Sequence, residues 1–272
     1  MVNFGQTPVG IRCQLKKKML SETLIILCLT SAGTAAGLIN TVAGGGSLIS
    51  LPVMILFGIP STVANGTNRI AIIAQALPAT LVFFKKGYKD IKQSLFIAVA
   101  LIPGAVLGAL AGVRMPDFIF NKILAFIMII VAVSMAIRKF RHKNIYDTFS
   151  FSNSLKRKPI VYILLVSIGF YGGFIHVGIG FLLMFVLSSI GGMNLIQTNM
   201  HKVIAVVPYS IAALTVFFIG SSILWWAGLA LAVGNMIGGW IGAHLSIKQD
   251  GNFIMPFFHA TIFILIIVLL LK

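Results

Sequence analysis

Apolar stretches of about 20 residues recur along the whole chain, and this pattern limits the fold more than any other feature. A helix needs roughly 20 residues to cross about 30 Å of hydrocarbon. Of the 272 residues, 58% are hydrophobic and 10% are charged, which is too little polar surface for a water-soluble protein. The sequence therefore predicts an all-α, polytopic membrane protein, with the lipid bilayer as its solvent.

Two of the apolar segments are too short to cross a bilayer as helices. These are segments 46–58 and 179–190, because about 12 residues of helix span only some 18 Å. We interpret each as a re-entrant helix or as half of a broken one, which leaves about eight transmembrane helices in a single membrane domain, residues 1–272. The full set of segments is 20–43, 46–58, 67–84, 93–113, 118–137, 160–177, 179–190, 200–219, 223–246 and 252–271.

The net charge of +16 comes from 21 Lys and Arg residues that lie mainly in short loops between apolar segments. A nucleic-acid surface would need a long polar segment, so we expect no nucleic-acid partner. With eight crossings, the positive-inside rule places the N-terminal lysines, residues 85–92 and residues 138–158 on one side. The prediction is a multi-pass protein of the cell (plasma or inner) membrane with both termini in the cytoplasm.

The second half of the sequence resembles the first at a shift of 133 residues. Under this shift Gly45 matches Gly178, and Arg69 matches Lys202. The polar connector 138–158 separates repeat one, 20–137, from repeat two, 160–272. Because four crossings per repeat is an even number, the count predicts two parallel repeats related by an axis along the membrane normal.

Each repeat has a glycine-interrupted segment just before its short helix, NTVAGGGS at 40–47 and YGGFIHVGIG at 171–180. Broken backbone at membrane depth is tolerated where it lines a cavity or is buried in protein, and the N-terminus of the following helix can bind an anion. A packing kink is the alternative for the glycines, and carbonyl capping is the alternative for the histidine. The candidate substrate-binding residues here are Gly44, Gly45, Gly46, Ser47 and His176.

A polar cluster opens the crossing after each short helix, and it contains Arg69 in the first half and Lys202 in the second. A cation in a membrane helix costs at least about 2.5 to 3.5 kcal/mol near the centre, and no segment offers a carboxylate partner. The pair would suit a small dianion, unless both side chains extend to the external headgroups. Further hydrogen-bonding candidates are Asn65, Thr67, Asn68, Gln197, Thr198, Asn199 and His201.

The same inventory of residues argues against an enzyme. The sequence contains no H-E-x-x-H motif and no Ser/His/acid set within the spans, so we expect no catalytic residue, cofactor or metal. Without a buried carboxylate, coupling to an ion would depend on the histidines. The membrane potential favours anion export by about 2.3 kcal/mol per charge per 100 mV. A passive channel and a scaffold or receptor are the alternatives.

Small residues recur at every fourth position of one helix in each repeat. Such faces let helix backbones approach closely, either within the bundle or across a homodimer, and the sequence leaves both open. The residues are Gly104, Gly108 and Gly112, and Gly234, Gly238 and Gly242.

Residues 43–73, AGGGSLISLPVMILFGIPSTVANGTNRIAII, resemble the TauE/SafE family of sulfite and organosulfonate exporters. The glycine run, SLISLP, the G-I-P turn and N-G-T-N-R follow each other in the family's order. The resemblance implies eight crossings built from a duplicated four-crossing unit. The second half departs from the family pattern at FIHVGIGF, so the implied binding role falls first on residues 44–47 and 67–69.

The substrate that the resemblance implies is a small sulfur-containing anion such as sulfite, thiosulfate or a sulfonate. We therefore expect a membrane transporter, in particular an exporter, of such an anion. The alternatives are a passive anion channel and a transporter for another small organic anion.

Overall fold

A computed structural model describes residues 8–140, 159–220 and 223–248 of the chain. Within these ranges every regular element is a helix, which confirms the all-α prediction. Five of the helices are long and apolar enough to cross a membrane. The helices are α1 (Pro8–Val42), α2 (Ser47–Leu56), α3 (Ser61–Lys85), α4 (Ile91–Val113), α5 (Asp117–Phe140), α6 (Pro159–Phe174), α7 (Ile179–Ser189), α8 (Leu195–Gly220) and α9 (Trp225–Lys248).

The helices follow the predicted apolar segments, with differences at three helix starts. Helix α1 begins at Pro8, well before the segment 20–43. Helices α3 and α8 each begin several residues before the corresponding segments, 67–84 and 200–219. The polar residues at these starts are part of the helices and are mostly buried, so hydropathy alone misplaces the boundary. The predicted segment 252–271 and most of the connector 138–158 lie outside the described residues. The prediction of eight full crossings included segments 20–43 and 160–177, and it is wrong for these two, because α1 and α6 end in the interior at the breaks.

The two short helices are re-entrant. A Cβ added at Gly46, just before α2, would overlap the backbone carbonyl of Ala36 in α1, so the chain has reversed direction between these residues. In the second half, a Cβ at Gly172 in α6 would overlap the side chain of Ile179 at the start of α7. Each short helix therefore begins in the interior and returns towards the end from which the preceding helix came.

The glycine face of α9 packs against α1 inside the molecule. A Cβ at Gly234 would overlap the carbonyl of Thr30, and one at Gly238 would overlap the carbonyl of Thr34. Helices can approach this closely only where one of them lacks side chains. Because the residue numbers rise together along both helices, α1 and α9 are parallel.

The glycine face of α4 packs in the same way against α6. A Cβ at Gly104 would overlap the carbonyl of Val166, and one at Gly108 would overlap the carbonyl of Phe170. Helices α4 and α6 are therefore parallel. Both predicted glycine faces are used within the bundle, and the homodimer stays a prediction without support from them.

Helix α3 runs in the direction of α9, and α8 runs in the direction of α4. In the first pair, Gly228 lies against Thr67 and Gly239 lies against Gln75. In the second pair, the start of α8 is hydrogen-bonded to the start of α4, and its end packs against the end of α4. The described bundle thus has two sets of parallel helices, α1, α3 and α9 in one set and α4, α6 and α8 in the other.

The two sets run in opposite directions. Phe217, near the end of α8, packs against Gly66, near the start of α3. Corresponding helices of the two halves, such as α3 and α8, are therefore antiparallel, and the prediction of two parallel repeats is wrong. The error came from counting α1 and α6 as full crossings and each short helix as an excursion that begins and ends on the far side. Each short helix instead returns the chain to the side on which the preceding helix began, so that the helices before and after it are parallel.

The same reversal changes the predicted sidedness. The start of α1 lies at the end of the bundle where α3 starts, and residues 85–92 follow the other end of α3. The prediction that the N-terminus and residues 85–92 share the cytoplasmic side is therefore wrong. The C-terminus lies outside the described residues.

We expect single cysteines at Glu22 and Arg114 to be labelled from one side of the membrane and a cysteine at Lys89 from the other. All three side chains are exposed. Glu22 begins the apolar part of α1, Lys89 lies between α3 and α4, and Arg114 follows α4. The measurement is labelling by a membrane-impermeant maleimide in intact and permeabilised cells, after replacement of Cys13 and Cys28 by Ser. Labelling of Glu22→Cys from the same side as Lys89→Cys would contradict the antiparallel arrangement.

Substitution Gly108→Val should lower the thermal unfolding midpoint of the purified protein, because the new side chain meets the backbone of α6. Overpacking of this kind costs about 1 to 3 kcal/mol, and more where the neighbour is backbone. The matched control is Leu107→Val, since Leu107 is 59% exposed and does not lie in the contact with α6. Equal midpoints for both variants would show that α4 and α6 do not pack through this face.

Candidate functional site

The two glycine-interrupted segments meet inside the molecule. The backbone N–H of Gly180 donates to the carbonyl of Gly44 at 3.2 Å, and a Cβ added to either residue would overlap the other's backbone. Gly44 has a φ of +88°, in the left-handed region that favours glycine. The breaks of both halves are therefore joined by a direct backbone contact.

The other residues of the first break have identifiable structural roles. Gly45 accepts from the N–H of Leu48 at 3.0 Å, and Gly46 packs against α1 as the residue before α2. The hydroxyl of Ser47 accepts from Nδ2 of Asn68 at 3.0 Å. The packing role proposed as the alternative for these glycines is present, and it also places the first turn of α2 in the interior.

Arg69 is fully buried, with 0% of its surface exposed. Its Nη2 donates to the carbonyl of Gly172 at 3.1 Å and to that of Gly173, and its guanidinium lies 4.9 Å from the ring centroid of Phe217. Its Nε and Nη1 have no hydrogen-bond partner among the described residues. The side chain does not extend to the headgroups, so that alternative is wrong for Arg69.

Lys202 is also buried, with 5% of its surface exposed. Its Nζ donates to the carbonyl of Thr41 at 3.0 Å and to Oδ1 of Asn199 at 2.7 Å. Like Arg69, it points inward rather than to the headgroups. In the described part of the chain, neither cation donates a hydrogen bond to a carboxylate.

The contacts of the two cations correspond. Arg69, in the first half, binds the last turn of α6, and Lys202, in the second half, binds the last turn of α1. The last carbonyls of a helix lack intrahelical partners and carry partial negative charge. Each cation thus stabilises the end of the interrupted helix in the opposite half.

The remaining first-half candidates hold α3 against its neighbours. Asn65 donates from Nδ2 to the carbonyl of Phe174 at 2.7 Å, and its Oδ1 has no partner among the described residues. The hydroxyl of Thr67 accepts from the N–H of Leu224 at 3.1 Å. Asn68 accepts from the hydroxyl of Ser50 at 2.7 Å.

The second-half candidates divide between the interior and the end of the bundle. His201 lies 2.8 Å through Nδ1 from the hydroxyl of Ser94, and Thr198 is buried in the first turns of α8. Gln197 is exposed and pairs with Asn194 at the start of α8. The structure therefore places Gln197 outside the interior cluster that holds the other candidates.

His176 lies in the second break in a strained conformation, with a φ of 54°. Left-handed backbone at a non-glycine residue costs of order 1 kcal/mol or more and often marks a functional position. Its Nδ1 is 3.4 Å from the hydroxyl of Tyr209, and its Nε2 has no partner among the described residues.

Sequence reasoning missed a set of interior polar residues that join the two breaks. Nδ2 of Asn40 donates to Oε1 of Gln75 at 3.0 Å, and Nε2 of Gln75 donates to the hydroxyl of Thr41 at 3.0 Å. Because the carbonyl of Thr41 accepts from Lys202, this network reaches the buried cation. The sequence does show Gln75 as a single amide within an apolar span, and this feature could have indicated an interior polar network.

A narrow cavity lies beside the junction of the two breaks. Its polar lining consists of Asn40, Gln75, His176, Lys202 and Tyr209. Ile179 and Leu183 of α7 and Val203 and Val206 of α8 form its apolar wall, and Gly180 also borders it. The cavity therefore combines one cation, several hydrogen-bonding groups and an apolar side.

The chain matches the model of the family described as "Sulfite exporter TauE/SafE" over residues 29–269. The protein belongs to the TauE/SafE family. This confirms the resemblance that residues 43–73 carry. The match covers both interrupted segments, the two buried cations and the cavity beside the junction of the two breaks.

Proteins with curated descriptions are similar to this chain over most of their length. A probable membrane transporter protein, ORF9, of Sinorhizobium sp is 29% identical over 83% of this chain and 84% of its own. A probable membrane transporter protein of Haemophilus influenzae is 27% identical over 85% of this chain and 89% of its own. YfcA of Escherichia coli K12, another probable membrane transporter, is 24% identical over 81% of this chain and 80% of its own. No solved structure gives a significant match.

The protein is thus a membrane transporter of the TauE/SafE family, and the family and these relatives carry the description of transporters rather than enzymes. Among the described residues, no group of three His, Cys, Asp or Glu side chains could hold a metal ion.

Gly180→Ala should lower the thermal unfolding midpoint, because the added methyl group meets the backbone of Gly44. The cost expected for overpacking is about 1 to 3 kcal/mol. The control is Leu182→Ala in the same helix, whose side chain is 42% exposed. An unchanged midpoint for Gly180→Ala would mean that the two breaks are not in contact.

Proposed function

We propose that the protein is a secondary transporter that exports a small sulfur-containing anion, such as sulfite, thiosulfate or a short organosulfonate. The observation that carries the proposal is a pair of buried cations, Arg69 and Lys202, beside two interrupted helices in a membrane protein. Among the described residues, their hydrogen bonds go to backbone carbonyls, an amide and a thioether, and not to carboxylates.

The unsatisfied donors of Arg69 support an anionic ligand. A buried N–H group without a partner costs about 1 to 3 kcal/mol, and Arg69 has such groups at both Nε and Nη1. Oxygen atoms of an oxyanion match the planar donors of a guanidinium and form strong, charge-assisted hydrogen bonds with it. Arrival of an oxyanion would therefore satisfy groups that the described residues leave open.

The sulfur chemistry and the direction rest on the family. The description of the matching family names sulfite and export. The relatives' names specify only a membrane transporter. The inside-negative potential adds a driving force for anion export of about 2.3 kcal/mol per charge per 100 mV.

The arrangement of the helices supports alternating access. We propose that the halves are duplicated units related by an axis in the membrane plane, as in transporters with inverted repeats. Their cross-contacts support this, since Arg69 binds the end of α6 as Lys202 binds the end of α1.

The orientation in the cell membrane follows from charge. Lys85, Lys86, Lys89, Lys92 and Lys248 lie at or beyond the ends of α3 and α9, or at the start of α4. The positive-inside rule then favours a cytoplasmic location for this end of the bundle. The start of α1 would consequently lie on the external side.

The alternatives are a passive anion channel and a transporter for another small organic anion. The contact between Gly44 and Gly180 joins both breaks in the interior and favours a gated transporter over an open pore. Saturable flux with counterflow would distinguish a transporter from a channel.

Arg69→Ala and Lys202→Ala should each reduce transport at least tenfold while folded protein remains in the membrane, because each removes a buried positive charge. The measurement is counterflow of radiolabelled sulfite, thiosulfate and methanesulfonate in proteoliposomes. The control is Lys122→Ala, whose side chain is exposed and lies over the ring of Phe118. Wild-type rates in Arg69→Ala would remove Arg69 from the site, and no flux of any sulfur anion by folded wild type would contradict the proposed substrate class.

A further inference from the structure

We propose that the cavity beside the two breaks binds the transported anion in a singly charged form, with Lys202 as the cation that contacts it among the described residues. The inference rests on the proposed function and deepens it by naming the site and the charge of the ligand. It also assigns binding to residues outside the sequence-based candidates, among them Tyr209.

The cavity is lined by Lys202 and not by Arg69. The hydrogen bonds of Arg69 go to Gly172 and Gly173, whereas those of Lys202 go to Thr41 and Asn199, so the two cations share no acceptor. Lys202 is therefore the one cation among the described residues that line the cavity, and Arg69 lies behind the lining. A second negative charge would have no cationic partner in that lining, and an unpaired buried charge costs several kcal/mol.

Three side chains of the cavity lining can donate hydrogen bonds to an anion. Lys202 has three N–H groups, and the third faces Sδ of Met184 at 3.8 Å, a weak acceptor that an oxyanion would replace. His176 is 2% exposed, and its Nε2 has no partner among the described residues. The 3.4 Å separation between Tyr209 and His176 is long, so the hydroxyl of Tyr209 can turn to a ligand.

These donors come from different elements of the fold. Lys202 and Tyr209 come from α8, two turns apart, and His176 comes from the break between α6 and α7. The amides of Asn40 and Gln75 also line the cavity and share a hydrogen bond at 3.0 Å. Polar groups from several elements thus border one small volume of about 10 Å³, which an anion would have to widen on binding.

Part of the cavity lining is apolar, and it consists of Ile179 and Leu183 of α7 with Val203 and Val206 of α8. Such a wall suits a sulfur atom or a short alkyl group better than a fourth charged oxygen. The chemistry therefore favours a short alkyl sulfonate or hydrogensulfite over sulfate.

The test is competition against counterflow of radiolabelled sulfite in proteoliposomes of the full-length protein. Methanesulfonate, which carries one charge, should compete at a concentration at least about tenfold lower than sulfate, which carries two. Lowering the pH should strengthen competition by unlabelled sulfite relative to methanesulfonate, because the fraction present as hydrogensulfite increases.

Two variants test the named ligands. Lys202→Met should weaken competition by methanesulfonate at least tenfold, and the matched control Lys248→Met, at an exposed helix end, should not. Tyr209→Phe should weaken it several-fold while leaving the order of the anions unchanged, since it removes a donor and no charge. This variant and the wild-type order serve as the test if Lys202→Met does not fold.

The outcomes separate the two proposals. Transport of sulfur anions with sulfate competing as well as methanesulfonate would overturn the singly charged site and leave the transport function standing. Transport with the expected order but unaffected by Tyr209→Phe and Lys202→Met would overturn the assignment to this cavity. No transport of any sulfur anion by folded protein would remove both proposals.

Discussion

The backbone carbonyls at the ends of α1 and α6 impose the constraint on which the rest of the structure depends. A helix that stops inside a membrane leaves carbonyls without partners, and lipid cannot supply them. Here they are satisfied by Arg69 and Lys202, each reaching across from the other half. The cations in turn need no carboxylates, because the helix ends supply partial negative charge. The interior is consequently rich in positive charge that a substrate can use.

The glycine faces bring the two halves close enough for each cation to bind the helix end of the other half. Helices α1 and α9 approach closely through Gly234 and Gly238, as α4 and α6 do through Gly104 and Gly108. Such packing places both interrupted helices next to long, continuous ones, which support them where their own hydrogen bonding ends. The breaks can then meet at Gly44 and Gly180 without exposing backbone to lipid.

Much of this arrangement could be predicted from the sequence, and the exceptions have physical causes. Helix positions follow from hydropathy, which places Arg69 and Lys202 in membrane helices but leaves open whether they point inward or to the headgroups. The relative direction of the halves was predicted wrongly, since hydropathy reports the length of a short helix but not the reversal that it causes. Gln197 was included because it neighbours buried residues in sequence, although a helix start at the bundle end exposes it. Tyr209 was missed because a tyrosine in an apolar span has the composition of ordinary core.

The junction of Gly44 and Gly180 has a consequence for how the sequence can change. In most packed contacts, a larger side chain on one side can be offset by a smaller one on the other. This contact joins backbone to backbone, so neither residue has a side chain that could shrink to make room for its neighbour. Paired substitutions therefore cannot compensate for each other at these two positions. The apolar side chains that line the adjacent cavity have no such restriction and can vary in shape. Divergence among relatives should accumulate around an invariant pair of glycines.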